Sequence, residues 1–302
     1  MTAVIRTDEL TKNYRRVAAL DHVNLEVQEG AVYALVGQNG AGKTTAIKIL
    51  MNLIPASQGA AQVLGTDSRK IRGKSYTQIG YVSENQEIPE WMKVGTLLDY
   101  LRGFYPTWDV ALEQSLVKQF DLPLDRKIKA LSRGMKMKLA LAGALAFHPR
   151  LIVLDEPFGG LDPLVRDQLI EGLLERAAES TVFLSSHDLA EIESFASHVG
   201  YLETGKLLFS EDMTSLSTRF REVELTRDSD GPLPSPLPGN WLQAKTSGAI
   251  VRFVDSRFDE QKIPSEIQRL FGAVKDVQYR ALSLRAIFLA MARKSEGSSP
   301  SP

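Results

Sequence analysis

Nine residues, GQNGAGKTT from Gly37 to Thr45, carry the strongest chemical signal in the chain. Gly37, Gly42, Lys43 and Thr44 occupy the fixed positions of G-x-x-x-x-G-K-[ST]. Glycines let backbone N–H groups turn inward around phosphate oxygens, so Gly37, Gln38, Asn39, Gly40, Ala41, Gly42 and Thr45 are candidate phosphate contacts. A helix opening near Gly42 adds its N-terminal partial positive charge. Lys43 supplies a point charge to the β- and γ-phosphates, and the Thr44 hydroxyl can hold Mg²⁺. A second signal is LIVLDEP, which ends an apolar run in two carboxylates, Asp155 and Glu156. An Asp at a strand end is placed to hold Mg²⁺, usually through water. The next residue points differently, so Glu156 can orient or deprotonate an attacking water. Read alone, the pair could instead cap the strand end and stabilise the loop. Beside a phosphate loop, a strand-end acid is what nucleoside triphosphate hydrolysis requires.

These residues need elements to hold them. Ala31 to Gly37 (AVYALVG) reads as a buried strand feeding the phosphate loop, and AIKILMNL after it has helical spacing. Leu151 to Glu156 and Thr181 to Ser186 (TVFLSS) read as further buried strands. Continuous apolar strands alternating with helices predict an α/β fold with a parallel or mixed sheet covered on both faces. Gly231 to Asn240, GPLPSPLPGN, holds four prolines and reads as a linker or extended loop. It precedes most of a small α+β appendage, 219–302, which follows a large first domain, 1–218. The appendage has strand-like Ala249 to Val254, helix-like Ile263 to Phe271, strand-like Val274 to Tyr279 and helix-like Leu284 to Ala292. The closing RKSEGSSPSP is expected to be disordered.

Composition narrows the class without choosing a function. Of 302 residues, 36 are Lys or Arg and 37 are Asp or Glu. This near balance argues against a protein that coats nucleic acid. With no cysteine, thiolate metal sites, disulfides and thiol nucleophiles are excluded. The longest apolar stretch, Leu139 to Phe147, is far short of the ~18 residues a membrane span needs. No secretory signal is visible in MTAVIRTDEL, so a cytoplasmic protein is expected.

Three further segments make the pattern specific. LSRGMKMKLALA begins at Leu131, FGGLD runs from Phe158 to Asp162, and SSHDLAEIE carries His187 after the next predicted strand. The order of these motifs over residues 2 to 215 resembles the ATP-binding cassette (ABC) ATPases. The resemblance implies a P-loop NTPase fold of ABC type, with a mixed sheet and a helical subdomain at about 85–147. It implies that Ser132 and Gly134, matching the signature LSGGQ, face the γ-phosphate held by an opposite subunit. Arg133 and Met135 depart from that signature; Arg133 either adds charge there or points to water. His187 matches the switch histidine, Tyr14 the aromatic that stacks on adenine, and Asp162 the D-loop carboxylate. Asp162 also suits the helix cap before Pro163. Glu84 stands at the usual glutamine position of the Q-loop and is the third candidate for contact with Mg²⁺ or its waters; Gln86 takes that place if the loop register shifts. His22, His148 and His198 match no catalytic position and are read as structural. Trp91, Phe104, Tyr105 and Trp108 either pack a core or present a surface for a partner helix.

The implied reaction is hydrolysis of MgATP to ADP and phosphate, with Lys43, Glu156 and His187 as the acting groups. One phosphate loop and one signature per chain imply an ATP-dependent head-to-tail dimer, with itself or with a paralogous ATPase. The resemblance further implies a separately encoded membrane permease, an exporter of drug, antibiotic or lipid, with this chain peripheral on the inner face of the membrane. A soluble, non-transport ABC ATPase is the alternative. No nucleic-acid partner is expected.

Overall fold

A computed structural model describes residues 2–84, 86–177 and 179–296. The chain divides into two compact units, Met1–Ser210 and Glu211–Pro302, so the division lies ahead of the expected residue 218. Among the described residues, no helix is long and apolar enough to cross a membrane.

The first unit opens with β1 (Ala3–Tyr14), β2 (Val17–Val23) and β3 (Glu26–Gln28), followed by β4 (Val32–Val36), which leads through the glycine-rich loop into α1 (Lys43–Leu50). β5 (Gln58–Val63), β6 (Thr66–Asp67) and β7 (Ile79–Val82) follow. Three helices come next: α2 (Val94–Arg102), α3 (Val110–Gln119) and α4 (Arg133–Leu145). The unit then alternates as β8 (Leu151–Leu154), α5 (Pro163–Ala177), β9 (Thr181–Ser186), α6 (Leu189–Glu193), β10 (His198–Glu203) and β11 (Lys206–Asp212). Strands β2-β1-β5-β6, with β3 on β1, form one sheet in which β1 runs antiparallel to β2, β3 and β5, and β5 antiparallel to β6. The central sheet has the order β11-β10-β4-β9-β8-β7, and β10, β4, β9, β8 and β7 run parallel. Every residue of β4, β8 and β9 is buried, as expected of parallel strands covered on both faces. Ile47 and Leu50 of α1 share a core with Leu10 and Val27 of the antiparallel sheet and with Tyr33, Val153 and Phe183 of the central one. α/β architecture with a mixed strand set therefore agrees with the sequence pattern.

Parallel register sets the site. Val82 lies opposite Leu154, and Leu154 opposite Leu184. Leu35 and Val36 lie opposite Ser185 and Ser186. All four strands thus end at one edge, which carries Gly37, Ser83, Asp155 and Ser186. The glycines there have little freedom to be anything else. A β-carbon at Gly37 would stand 2.2 Å from the Leu202 carbonyl oxygen. One at Gly42, where φ is 111°, would stand 2.2 Å from that of Ala19.

Within the helical segment, α2 and α3 are joined by a buried carboxylate. Glu113 accepts from Arg102 Nη2 at 2.8 Å and from Trp108 Nε1 at 2.7 Å. α4 ends at Leu145 with Ala146 as its cap, two residues before the expected Phe147.

The second unit contains α7 (Met213–Arg219), β12 (Arg221–Arg227), β13 (Trp241–Ser247), β14 (Ile250–Asp255), α8 (Ile263–Phe271), β15 (Val274–Ala281) and α9 (Leu284–Glu296). Its sheet is antiparallel in the order β13-β14-β12-β15. Val223, Leu225, Trp241, Val251 and Phe253 share a core with Ile263 and Ile267 of α8. The proline-rich segment departs from its expected place between domains. It joins β12 to β13 inside this unit, where the buried Arg227 donates to the carbonyls of Gly231 and Pro232 and to Thr246 Oγ1. The tail also differs: 293–296 extend α9 as a helix, and the rest of the expected disordered stretch, 297–302, lies outside the described residues.

Candidate active site

The sheet edge brings five of the candidate residues into one bonded cluster. Thr44 Oγ1 donates to Asp155 Oδ1 at 3.0 Å. Lys43, 5% exposed, donates to the Gly37 carbonyl at 2.6 Å and stands 3.0 Å from Glu156 Oε1. The other oxygen of Glu156 lies 2.8 Å from His187 Nδ1. Glu156 therefore sits between the loop lysine and the histidine, which follow the C-terminal ends of the parallel strands β4 and β9 at the same edge.

Backbone conformation aims that carboxylate. Glu156 has φ 48°, in the left-handed region that costs a non-glycine residue on the order of 1 kcal/mol. This turns its side chain away from the direction taken by Asp155. The turn is held by Ser185, whose Oγ accepts from the Glu156 N–H at 2.9 Å while donating to Asp155 Oδ1 at 2.7 Å. Ser185 is fully buried and positions both acids at once. Sequence reasoning assigned it no role. The available signal was its place in TVFLSS, two residues before His187.

Electrostatics around the cluster are uneven. Burial pushes the Tyr81 phenol up, and the negative charge of Asp155 adds to this. Glu191 begins just after the histidine turn, with Oε2 3.1 Å from Ser186 Oγ and Oε1 3.8 Å from Arg166 Nη1. Burial raises its carboxyl above the ordinary range.

The remaining candidates stand outside this bonded cluster. Ser132 caps α4, its Oγ accepting from the Met135 N–H at 3.2 Å. Gly134 lies against α5, where a β-carbon would meet Val165 Cγ1 at 3.0 Å. Asp162 Oδ1 accepts from the Leu164 N–H at 2.9 Å, so it does cap the start of α5. Glu84 has Arg133 for a neighbour, with Oε1 3.8 Å from Nη2. Arg133 thus makes a charge contact rather than pointing only to water. Gln86 turns its Oε1 back on the Ser83 N–H at 3.2 Å. Tyr14, at the end of β1, is half exposed, with Lys12 Nζ 5.1 Å from its ring centroid. The four aromatic candidates of the helical segment split. Trp91 is 71% exposed and Phe104 58%, whereas Tyr105 stacks on Phe147 at 3.9 Å and Trp108 bonds Glu113. An apolar groove of about 210 Å³ lies beside them, lined by Tyr81, Ile88, Leu97, Tyr100, Leu139 and Phe147, among others. The other three histidines have structural neighbours: His22 bonds Asp21, His148 bonds Asp109 and His198 stacks on Tyr33.

The donor set suits a hard cation that keeps other ligands. Thr44 and Asp155 offer adjacent oxygens. Among the described residues, no group of three or more His, Cys, Asp or Glu could hold a metal unaided. Such a site fits Mg²⁺ brought in with phosphate and water oxygens.

Comparison with known proteins agrees with this geometry. The family described as ABC transporter matches residues 20–159. The bacitracin transport ATP-binding protein BcrA of Bacillus licheniformis is 33% identical over 229 residues, which is 74% of this chain and 74% of that one. The ABC transporter ATP-binding protein YhcH of Bacillus subtilis is 29% identical over 306 residues, 96% of each chain, so that likeness runs through the second unit too. A solved ATP-binding subunit of an ABC transporter aligns with a TM-score of 0.65 at 27% identity, covering 71% of this chain and 92% of its own.

Proposed function

We propose a function from one premise: the chain belongs to the ABC transporter family and is one of its ATP-hydrolysing, ATP-binding subunits. It binds MgATP at the edge of the central sheet, hydrolyses it to ADP and phosphate, and thereby drives a separate membrane permease. The observation that carries the reading is the placement of Glu156 between Lys43 Nζ and His187 Nδ1, one residue beyond Asp155.

In this reading each residue has a role. Loop amides from Gly37 to Thr45 and the Lys43 ammonium receive the β- and γ-phosphates. As the phosphates arrive, Lys43 exchanges the Gly37 carbonyl and Glu156 for phosphate oxygens. Glu156 is then released to take a proton from the attacking water. His187 keeps the carboxylate turned toward that water. Mg²⁺, when bound, would be held by Thr44 and Asp155 and would supply neutralisation of the phosphate charge. Tyr14 offers its exposed ring to the adenine.

Ser132, Gly134 and Asp162 lie outside the bonded cluster, which supports their use by the nucleotide of a second copy in a head-to-tail dimer, or of a paralogous ATPase. The apolar groove beside Tyr100, with the exposed Trp91 and Phe104, suits a helix of the permease. Likeness to a bacitracin transport protein supports an exporter of an antibiotic, drug or lipid, with this subunit peripheral on the inner membrane face.

The test is Glu156→Gln. ATP binding should persist, hydrolysis should fall at least ~10²-fold, and an ATP-bound dimer should accumulate on size-exclusion chromatography. Wild-type turnover by that variant would overturn the assignment.

A further inference from the structure

Two positions where this chain departs from its family's motif meet in space. One is Arg133, inside the signature segment. The other is Glu84, where a glutamine is usual. Their side chains approach to 3.8 Å between Nη2 and Oε1. We propose that Arg133 is a positioning residue for ATP binding, acting through Glu84 by neutralising a carboxylate that would otherwise repel the triphosphate. This rests on the reading of the sheet edge as the ATP site.

Charge accounting at the edge motivates it. Asp155 begins just past β8 and its N–H donates to the Val82 carbonyl at 2.9 Å, so Glu84, two residues further, belongs to the same edge. Three carboxylates, Glu84, Asp155 and Glu156, therefore gather where a highly charged anion must bind. Lys43 is the partner of Glu156. Arg133 is the cation that faces Glu84. A lysine or arginine at the start of a helix is otherwise misplaced, because the helix end is itself positive. The first turn of α4 holds no acidic residue to offset it.

The guanidinium also lies near a second element of the edge. A β-carbon at Gly160, where φ is 68°, would stand 3.4 Å from Arg133 Nη1 and 3.9 Å from Cζ. One at Gly159 would stand 3.8 Å from Nη2. The planar group thus lies over Gly159 and Gly160 of FGGLD at ordinary van der Waals range while it reaches Glu84. Both side chains are about half exposed, so this is a pair of modest strength and its work is local neutralisation rather than stability.

A four-member cycle on the full chain tests the pair: wild type, Arg133→Gln, Glu84→Gln and the double variant. The readout is the Kd for ATP without Mg²⁺ and then with it. Arg133→Gln should raise Kd about fivefold at low ionic strength, and the rise should shrink in high salt. In the Glu84→Gln background the same substitution should leave Kd within about twofold. Reversing the pair, with Glu84→Arg and Arg133→Glu together, should bind ATP more tightly than either reversal alone. A loss of equal size in both backgrounds means Arg133 meets phosphate directly and overturns the proposal. So does an Arg133→Gln variant that binds as wild type. Failure of the wild-type chain to bind ATP at all would instead strike the functional reading itself, and this inference with it. Unchanged melting temperatures across the cycle separate these outcomes from a folding defect.

Discussion

The phosphate-loop side and the signature side of this molecule are built to different degrees of completion. Lys43, Thr44, Asp155, Glu156, Ser185 and His187 are joined by short side-chain contacts, and Asp155 is only 2% exposed. Ser132, Arg133 and Asp162 are exposed at helix starts, and the hydrogen bonds of Ser132 and Asp162 serve their own helices. The first set is preorganised within one chain, as electrostatic catalysis demands. The second presents a capped helix start outward, the arrangement that the proposed use by a second copy's phosphate would draw on.

That contrast can be broken by substitution, and the largest effect should fall on the finished side. Lys43→Ala removes the ammonium contact of Glu156 and the proposed contact to phosphate; ATPase activity should fall by ~10³-fold or more, measured as phosphate release. Ser185→Ala tests whether the cluster is one unit. Losing two buried hydrogen bonds should cost ~1–3 kcal/mol in denaturant unfolding, and kcat should drop ~10-fold or more because both acids lose their support. If only stability changes, the acids do not depend on Ser185 for aim. Ser132→Ala probes the open side. It should cost ~1 kcal/mol at most as a lost cap and leave ATP binding by the separate chain intact, yet abolish the ATP-dependent dimer seen by light scattering. A variant that dimerises normally would erase the distinction between the two sides.

The smallest effect concerns Glu191, next to the finished cluster and faced by Ser186, Asp188, Arg166 and His187. Its carboxyl is raised by burial, so the folded state binds the proton more tightly than the unfolded one. The stability it contributes is present in acid and lost as pH rises through the raised value. Glu191→Gln should match wild type in melting temperature at low pH and gain slightly on it above the ordinary glutamate range. A gap independent of pH would show that the effect is packing, not charge.

Much of this site was legible in the sequence because its local context is one-dimensional. A buried strand, a glycine loop and a helix are contiguous from Val32 to Leu50. TVFLSS became β9 residue for residue, and Ile263 to Phe271 became α8. What escaped depends on register between distant segments. Ser185 reaches Asp155 because Leu184 lies opposite Leu154, a pairing no local pattern states. The Arg133–Glu84 contact needs a helix start and a strand exit to meet across 49 positions of chain. The proline-rich stretch looked like a boundary because proline signals a break. It took the antiparallel pairing of β12 with β14, and Arg227 beneath it, to make it an internal connection.

The contact between Lys43 and Glu156 has a further consequence for which anions the chain admits. A loop lysine already facing its own carboxylate does not offer an unopposed positive charge. Inorganic phosphate or a monophosphate would have to displace that carboxylate with few oxygens to repay the loop's N–H groups. A triphosphate can span the loop and the lysine together. With Lys43 and Glu156 used as proposed, discrimination between the abundant small anions of a cell and a nucleoside triphosphate would be set before any nucleotide base is recognised.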